Sequence, residues 1–332
     1  ALGDAEITVI PVADGGEGTT DAVIRATGGG LRSVEVTGPL GDPVTAVYGL
    51  LPDGKTAVME MSTASGIELV RADRLDPMKA TTYGTGELMR AAVEAGARDL
   101  ILGIGGSATV VGGIGVAQAL GHRLLTADGS ECGRGGGALA TIAEIDSDGV
   151  LPTLAESRIR AACDVTNPLL GERGAARVFG PQKGATPEMV EELERGLAHL
   201  AGLWIHRGML DRVDRPGDGA AGGLGAGLRA LCSAEIVSGA DLVAEITGFN
   251  REIADADLLV TGEGRTDDQT ADGKLPVVLA AQARAAGAKA ILISGTVAGD
   301  LGRLNDLSVS YTHLRAHETI HAISYAVFCL KK

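Results

Sequence analysis

Apolar runs, helical stripes and glycine-rich polar loops follow one another along most of the chain, an order that predicts strands handing over to helices. Ile7 to Val12 reads as a strand leading into a polar glycine loop, and Asp21 to Thr27 as a helix closed by three glycines. Two β-rich runs, Ser33 to Thr37 and Thr45 to Leu50, flank Pro39-Leu-Gly-Asp-Pro43, the composition of a hairpin turn, and Thr56 to Met61 extends this antiparallel patch. From Thr85 the βα alternation returns, with helix Gly86 to Ala95, strand Asp99 to Ile104, a glycine loop and helix Ile114 to Leu120. Strand Ile159 to Cys163 and an amphipathic helix from Thr186 to Arg207 follow, the helix opened by Thr186 as N-cap and Pro187 at its first position. Helix Gly225 to Cys232, strand Ala256 to Thr261, helix Leu275 to Ala286 and strand Ala290 to Ser294 complete the pattern.

The pattern places the chain in the α/β class, and its 332 residues predict two domains. Aromatic residues make up only 2%, so Val, Leu, Ile and Ala must build the core, as they do in parallel sheets covered by helices. A net charge of -14 repels phosphate-rich partners, which argues against nucleic acid and anionic membranes. Leu100 to Gly121 is uncharged, but its glycines and Gln118 suit strand, loop and helix better than a lipid-facing span. Cys132, Cys163, Cys232 and Cys329 are widely spaced and suggest neither a zinc site nor a disulfide framework. No signal peptide pattern is present, and a cytoplasmic location is expected.

Chemistry is expected in four glycine-rich segments that sit where strands hand over to helices, the place at which open α/β sheets bind ligands. The first, Val12-Ala-Asp-Gly-Gly-Glu-Gly-Thr19, carries Asp14 and Glu17. The second, Gly103-Ile-Gly-Gly-Ser-Ala-Thr-Val-Val-Gly-Gly113, offers Gly105, Gly106, Ser107 and Thr109. It also matches a dinucleotide-binding G-x-G-x-x-A pattern with Asp128 downstream, which keeps an oxidoreductase open as a rival enzyme class. The third runs from Ala162 to Gly171 and continues at Phe179-Gly-Pro-Gln-Lys-Gly-Ala185, where Asp164 and Asn167 are candidates to hold Mg²⁺ or orient a hydroxyl and Lys183 offers a charge to phosphate. The fourth joins Pro216 to Gly225, with Gly222 and Gly223, to Thr261-Gly-Glu-Gly-Arg-Thr-Asp-Asp-Gln-Thr270 and Lys274, read as a loop after a buried strand.

In this order these segments, with Gly219-Ala-Ala-Gly-Gly-Leu-Gly225, resemble the type-1 glycerate kinases over about Ala5 to Leu307. The resemblance implies a flavodoxin-like parallel-sheet domain built from both chain ends (residues 1–34 and 231–309) and an inserted mixed α/β domain (residues 35–230). It implies ATP, Mg²⁺ and D-glycerate as reactants and 2-phosphoglycerate as product. On that footing ATP phosphates lie against the glycine loops, including Gly262, Glu263 and Gly264, with Lys183 or Lys274 nearby. Asp164, Glu263 or Asp267 hold Mg²⁺, Asp14 and Glu17 orient the glycerate hydroxyls, and Arg265 pairs with its carboxylate.

Two departures set an alternative, a catalytically impaired member of that family. Val110 and Val111 stand where the family carries an aspartate, and an N-terminal strand, helix and lysine are expected upstream of Ala1. The composition also breaks near Ser308: His313, His317 and His321, three of the six histidines, fall in a tail that resembles translated sequencing-adapter DNA. Residues 310–332 are therefore expected to be foreign and outside the fold, and the histidine spacing lacks the companion ligands of a metal motif.

Overall fold

In the computed structural model, residues 6–266, 275–297, 309–313 and 326–331 are described. Along the chain the strands are β1 (Glu6–Pro11), β2 (Gly30–Thr37), β3 (Pro43–Leu50), β4 (Thr56–Glu60), β5 (Asp99–Gly103), β6 (Arg123–Thr126) and β7 (Ile142–Asp146). They continue with β8 (Arg158–Ala162), β9 (Glu235–Val237), β10 (Leu258–Thr266), β11 (Lys289–Val297), β12 (Val309–His313) and β13 (Ala326–Lys331). The helices are α1 (Thr19–Thr27), α2 (Ser62–Ser65), α3 (Tyr83–Glu94), α4 (Ile114–Ala119), α5 (Ala175–Phe179) and α6 (Pro187–His206). After them come α7 (Ala220–Cys232), α8 (Gly239–Ile246), α9 (Phe249–Ile253) and α10 (Leu275–Ala285). The chain divides into two compact units, Ala1–Asp14 with Asp21–Gly28 and Ser238–Lys332, and Gly15–Thr20 with Gly29–Val237.

The larger unit is built on a six-stranded sheet in the order β2-β3-β4-β5-β8-β9. β2, β3 and β4 pair antiparallel, as the turn at Pro39 to Pro43 predicts. β4 also pairs parallel with β5, and β5 with β8, so β4 is where the sheet changes sense. Its five residues, Thr-Ala-Val-Met-Glu, are all buried, the signature of a strand covered on both faces. Met59, Leu100 and Leu102 from the sheet pack with Leu88 of α3 and Leu120 in one core cluster. A second cluster gathers Leu193, Leu197, Leu200 and Trp204 of α6 with Leu139 and Val111. α6 starts as its sequence predicts, the Thr186 hydroxyl accepting from the Met189 N–H at 3.3 Å.

In the smaller unit the sheet order is β1-β13-β10-β11-β12, with β10, β11 and β12 parallel and β13 antiparallel to both its neighbours. α10 follows β10 and precedes β11, the crossover connection that parallel pairing requires.

Three expectations need correction. The expectation that residues 310–332 lie outside the fold does not hold for residues 310–313 and 326–331, which belong to β12 and β13 of this sheet. The run Ala326-Val-Phe-Cys-Leu has strand composition, and Cys329 is fully buried. Of the three tail histidines, His313 ends β12, and His317 and His321 lie outside the described residues. β10 does not stop at Thr261: it pairs with β11 as far as Thr266, so Gly262, Glu263, Gly264 and Arg265 belong to a strand rather than a loop. α7 begins earlier than expected, but Ala221, Gly222 and Gly223 have left-handed backbones, and regular helix resumes at Leu224.

Candidate active site

The parallel strands β4, β5 and β8 of the larger unit end side by side at Glu60, Gly103 and Ala162. The first glycine loop, Gly15 to Thr20, lies against these carboxyl ends, the position where α/β sheets bind ligands. A methyl group added to Gly103 would come within 2.3 Å of the Gly15 carbonyl oxygen, and one added to Gly15 within 2.8 Å of the Ala162 methyl. Gly15 also takes a positive φ of 88°, so close approach and backbone conformation both demand glycine there.

Glu60 grips this loop from below. Its side chain lies in a residue only 4% exposed, and its carboxylate accepts the Gly18 N–H at 3.0 Å and the Thr20 N–H at 2.6 Å. These donors flank Thr19 at the start of α1, where a helix leaves N–H groups without internal partners. The Thr19 hydroxyl closes the turn by donating to the Gly16 carbonyl at 2.7 Å. Glu17, between the two glycines, is exposed, and Asp14, just before the loop, is half-buried. Sequence reasoning missed Glu60; the available signal was a carboxylate closing an otherwise apolar strand.

The second loop continues from β5 beside the first. Gly105 and Gly106 are exposed, and a methyl group on Gly105 would lie 3.2 Å from the Gly16 Cα. Two backbone bonds pin the loop to the segment after β4: Ile67 N–H to the Gly106 carbonyl at 2.8 Å, and Ala108 N–H to the Ser65 carbonyl at 3.0 Å. Ser107 and Thr109 are buried, and beneath them lies Lys183 at 2% exposure. Its Nζ donates to Ser107 Oγ at 2.6 Å and to the Thr109 carbonyl at 2.7 Å. Burial pushes its ammonium pKa down to about 7. Lys183 is therefore a strut under the glycine loop, not a charge presented at the surface.

Gly222 and Gly223 are also packing elements. A methyl group on Gly222 would sit 2.0 Å from the Thr109 carbonyl oxygen, and one on Gly223 2.7 Å from Leu169. Asp164 is exposed on the segment after β8, two residues beyond Ala162. Asn167 spends its side-chain N–H on the Arg173 carbonyl at 2.8 Å and its backbone carbonyl on the Gly219 N–H at 2.9 Å.

The smaller unit holds a polar cluster on β10 and β11. Glu263, 3% exposed, accepts the Thr266 hydroxyl at 2.6 Å, and the Thr266 and Ser294 hydroxyls are 2.9 Å apart. Asp267 and Lys274 lie outside the described residues. Among the described residues no three His, Cys, Asp or Glu side chains gather as a metal site. Of the expected Mg²⁺ carboxylates, Asp164 lies in the larger unit and Glu263 in the smaller.

The dinucleotide alternative fails on geometry. Its fingerprint requires Asp128 at the end of a second parallel strand, whereas Asp128 occupies a turn after β6, and β6 pairs antiparallel with β7. The Thr126 and Ser130 hydroxyls hold the Asp128 carboxyl at about 2, the behaviour of a turn-forming aspartate. Among the described residues no helix is long and apolar enough to cross a membrane, and Leu100 to Gly121 folds into β5, a loop and α4.

Comparison with known proteins places these features together. The model of the glycerate kinase family matches residues 1–323. The chain is 49% identical to the Glycerate 2-kinase of Escherichia coli (strain K12), covering 90% of this chain and 78% of that protein. It is 48% identical to the Glycerate kinase of Bacillus subtilis (strain 168), covering 89% and 78%. A solved structure described as glycerate kinase 2 from Salmonella typhimurium LT2 superposes with a TM-score of 0.82 at 46% identity, covering 90% of this chain and 84% of that one. A match of this extent, on a mixed α/β chain whose glycine loops line the carboxyl ends of a parallel sheet, means that this chain belongs to the glycerate kinase family of enzymes.

Proposed function

We propose that the protein transfers the γ-phosphoryl group of ATP to the 2-hydroxyl of D-glycerate, giving 2-phosphoglycerate and ADP. The observation that carries this reading is the glycine floor formed by exposed Gly105 and Gly106 with half-buried Gly16 over the carboxyl ends of β4, β5 and β8. Phosphoryl transfer asks a protein mainly to align donor and acceptor and to meet charge on the transferring oxygens. Backbone groups at Gly105 and Gly106 supply an approach for phosphate that no side chain obstructs. Glu17 and Asp14 orient the glycerate hydroxyl, and Asp164, on the neighbouring segment, is the carboxylate we assign to receive its proton as the oxygen attacks phosphorus and ADP departs. Lys183 acts through Ser107 and Thr109 by fixing the loop. The choice of the 2-hydroxyl is supported by the name of the Escherichia coli relative. We further assign the flavodoxin-like domain to the chain ends, a reading supported by the parallel run β10-β11-β12 and its helical crossover.

The test is direct. Incubation with ATP and D-glycerate, followed by phosphorus NMR, is expected to yield 2-phosphoglycerate. A 3-phosphoglycerate signal would overturn the regiochemistry, and no transfer would overturn the kinase reading for this chain. One observation favours the impaired-member alternative: Val110 and Val111, where the resemblance leads one to expect an aspartate, are fully buried in the apolar core around α6. Its mark is a cooperatively folded protein without turnover.

A further inference from the structure

We propose that Glu60 is a positioning residue for the phosphoryl acceptor: its buried carboxylate fixes the Gly15 to Thr20 loop, and with it Glu17, over the ends of β4 and β5. The identity of the acceptor rests on the kinase reading above. The placement of Glu60 rests on geometry alone. A carboxylate removed from water is unfavourable unless hydrogen bonds replace its hydration, and here both oxygens are used, Oε2 on the Gly18 N–H and Oε1 on the Thr20 N–H. Capping α1 alone would need only a local serine or threonine. Glu60 instead reaches the loop from the end of β4, 42 residues from Gly18 along the chain, which ties Gly18 and Thr20 to the carboxyl end of the sheet.

Two further contacts make that tie a constraint on position. The Gly15 carbonyl lies over Gly103 with no room for a side chain, and Gly16 lies against Gly105. Glycine packing therefore sets the height of the loop above the strand ends, and the Glu60 bonds set its tilt. Glu17 is the exposed residue held between these two restraints, next to the Gly105 and Gly106 floor.

The full chain and its Glu60→Gln and Glu60→Asp variants would be compared by amide hydrogen exchange and steady-state kinetics. Gln preserves shape but turns an NH₂ toward one of the two N–H donors; Asp keeps the carboxylate but falls one methylene short. In Glu60→Gln we expect faster exchange at Gly18 and Thr20, a KM for glycerate raised about tenfold or more, and a KM for ATP changed by less than about twofold. Partial recovery of the glycerate KM in Glu60→Asp is expected, and this variant carries the same comparison if the glutamine protein does not fold. Faster exchange with both KM values and kcat unchanged would overturn the inference and leave the kinase reading standing, as would an equal loss toward both substrates. A wild-type chain that fails to phosphorylate glycerate would defeat the kinase reading, and the inference with it, and is recognised because the loss precedes any substitution.

Discussion

Lys183 is the residue at which stability and the site meet. Its pKa falls from an ordinary 10.5 to about 7 because burial strips water from the ammonium. Between these values the folded protein holds a neutral amine while the unfolded chain holds an ammonium, so the unfolded state binds more protons and stability rises with pH. Below about 7 both states are charged, and the full burial cost is borne. Lys183→Met has nearly the same length and does not titrate. Its stability relative to wild type is therefore expected to worsen from about pH 7 upward, by about 1.4 kcal/mol for each pH unit. Urea unfolding across that range measures it, and a difference that stays flat would mean that Lys183 remains charged in the fold. Sequence reasoning found this lysine but not its burial or its partners. A lysine in Gly-Pro-Gln-Lys-Gly looks like a phosphate contact, and its partners Ser107 and Thr109 are 76 and 74 residues away. Glu60 escaped notice for the same reason, since its acceptor role exists only once Gly18 and Thr20 fold over it.

Among elements, the start of α7 carries the clearest strain. Ala221 has φ 51° and ψ 39°, a left-handed conformation that costs a residue with a Cβ about 1–2 kcal/mol. Gly222 and Gly223 share that conformation, and Gly222 is pressed against the Thr109 carbonyl oxygen at 2.0 Å from where its Cβ would stand. Ala221→Gly is expected to stabilise the protein by about 0.5–1 kcal/mol, and Gly222→Ala to destabilise it by about 3 kcal/mol or more, since strain and overlap combine. Thermal melts of the two variants should move in opposite directions; a neutral Gly222→Ala would mean that the contact with Thr109 relaxes freely. Local pattern located most elements, because helical periodicity, caps and apolar runs act over a few residues. Thr186 and Pro187 announced α6, and Pro39 to Pro43 announced the β2–β3 hairpin. The end of β10 was not legible. Gly-Glu-Gly has loop composition, and only pairing with β11 through Thr266 makes it a strand. Nor were β12 and β13 legible: the unusual composition of the tail argued for exclusion, whereas strand pairing in the sheet holds both.

At the scale of the whole molecule, charge separates two ways in which an acidic enzyme can take anionic substrates. Forty-three acidic residues face twenty-nine basic ones, a net charge of -14, and glycerate and ATP are both negative. Among the described residues placed at the glycine floor above, the carboxylates are Asp14, Glu17, Glu60 and Asp164, and the lysine below the floor is buried. Neither the overall field nor that of these described residues attracts an anion, so among them short-range backbone donors are the groups that can hold it once it has arrived. Screening shortens the reach of the repulsion from about 30 Å at 0.01 M salt to about 8 Å at 0.15 M. The KM for glycerate is therefore expected to fall by about twofold over that rise in ionic strength, through faster association. A site that focused anions through exposed lysines or arginines would show the opposite slope, with KM rising as salt is added. Initial-rate measurements at matched pH decide between the two signs, and a rising KM would place an unassigned cation at the floor of the site.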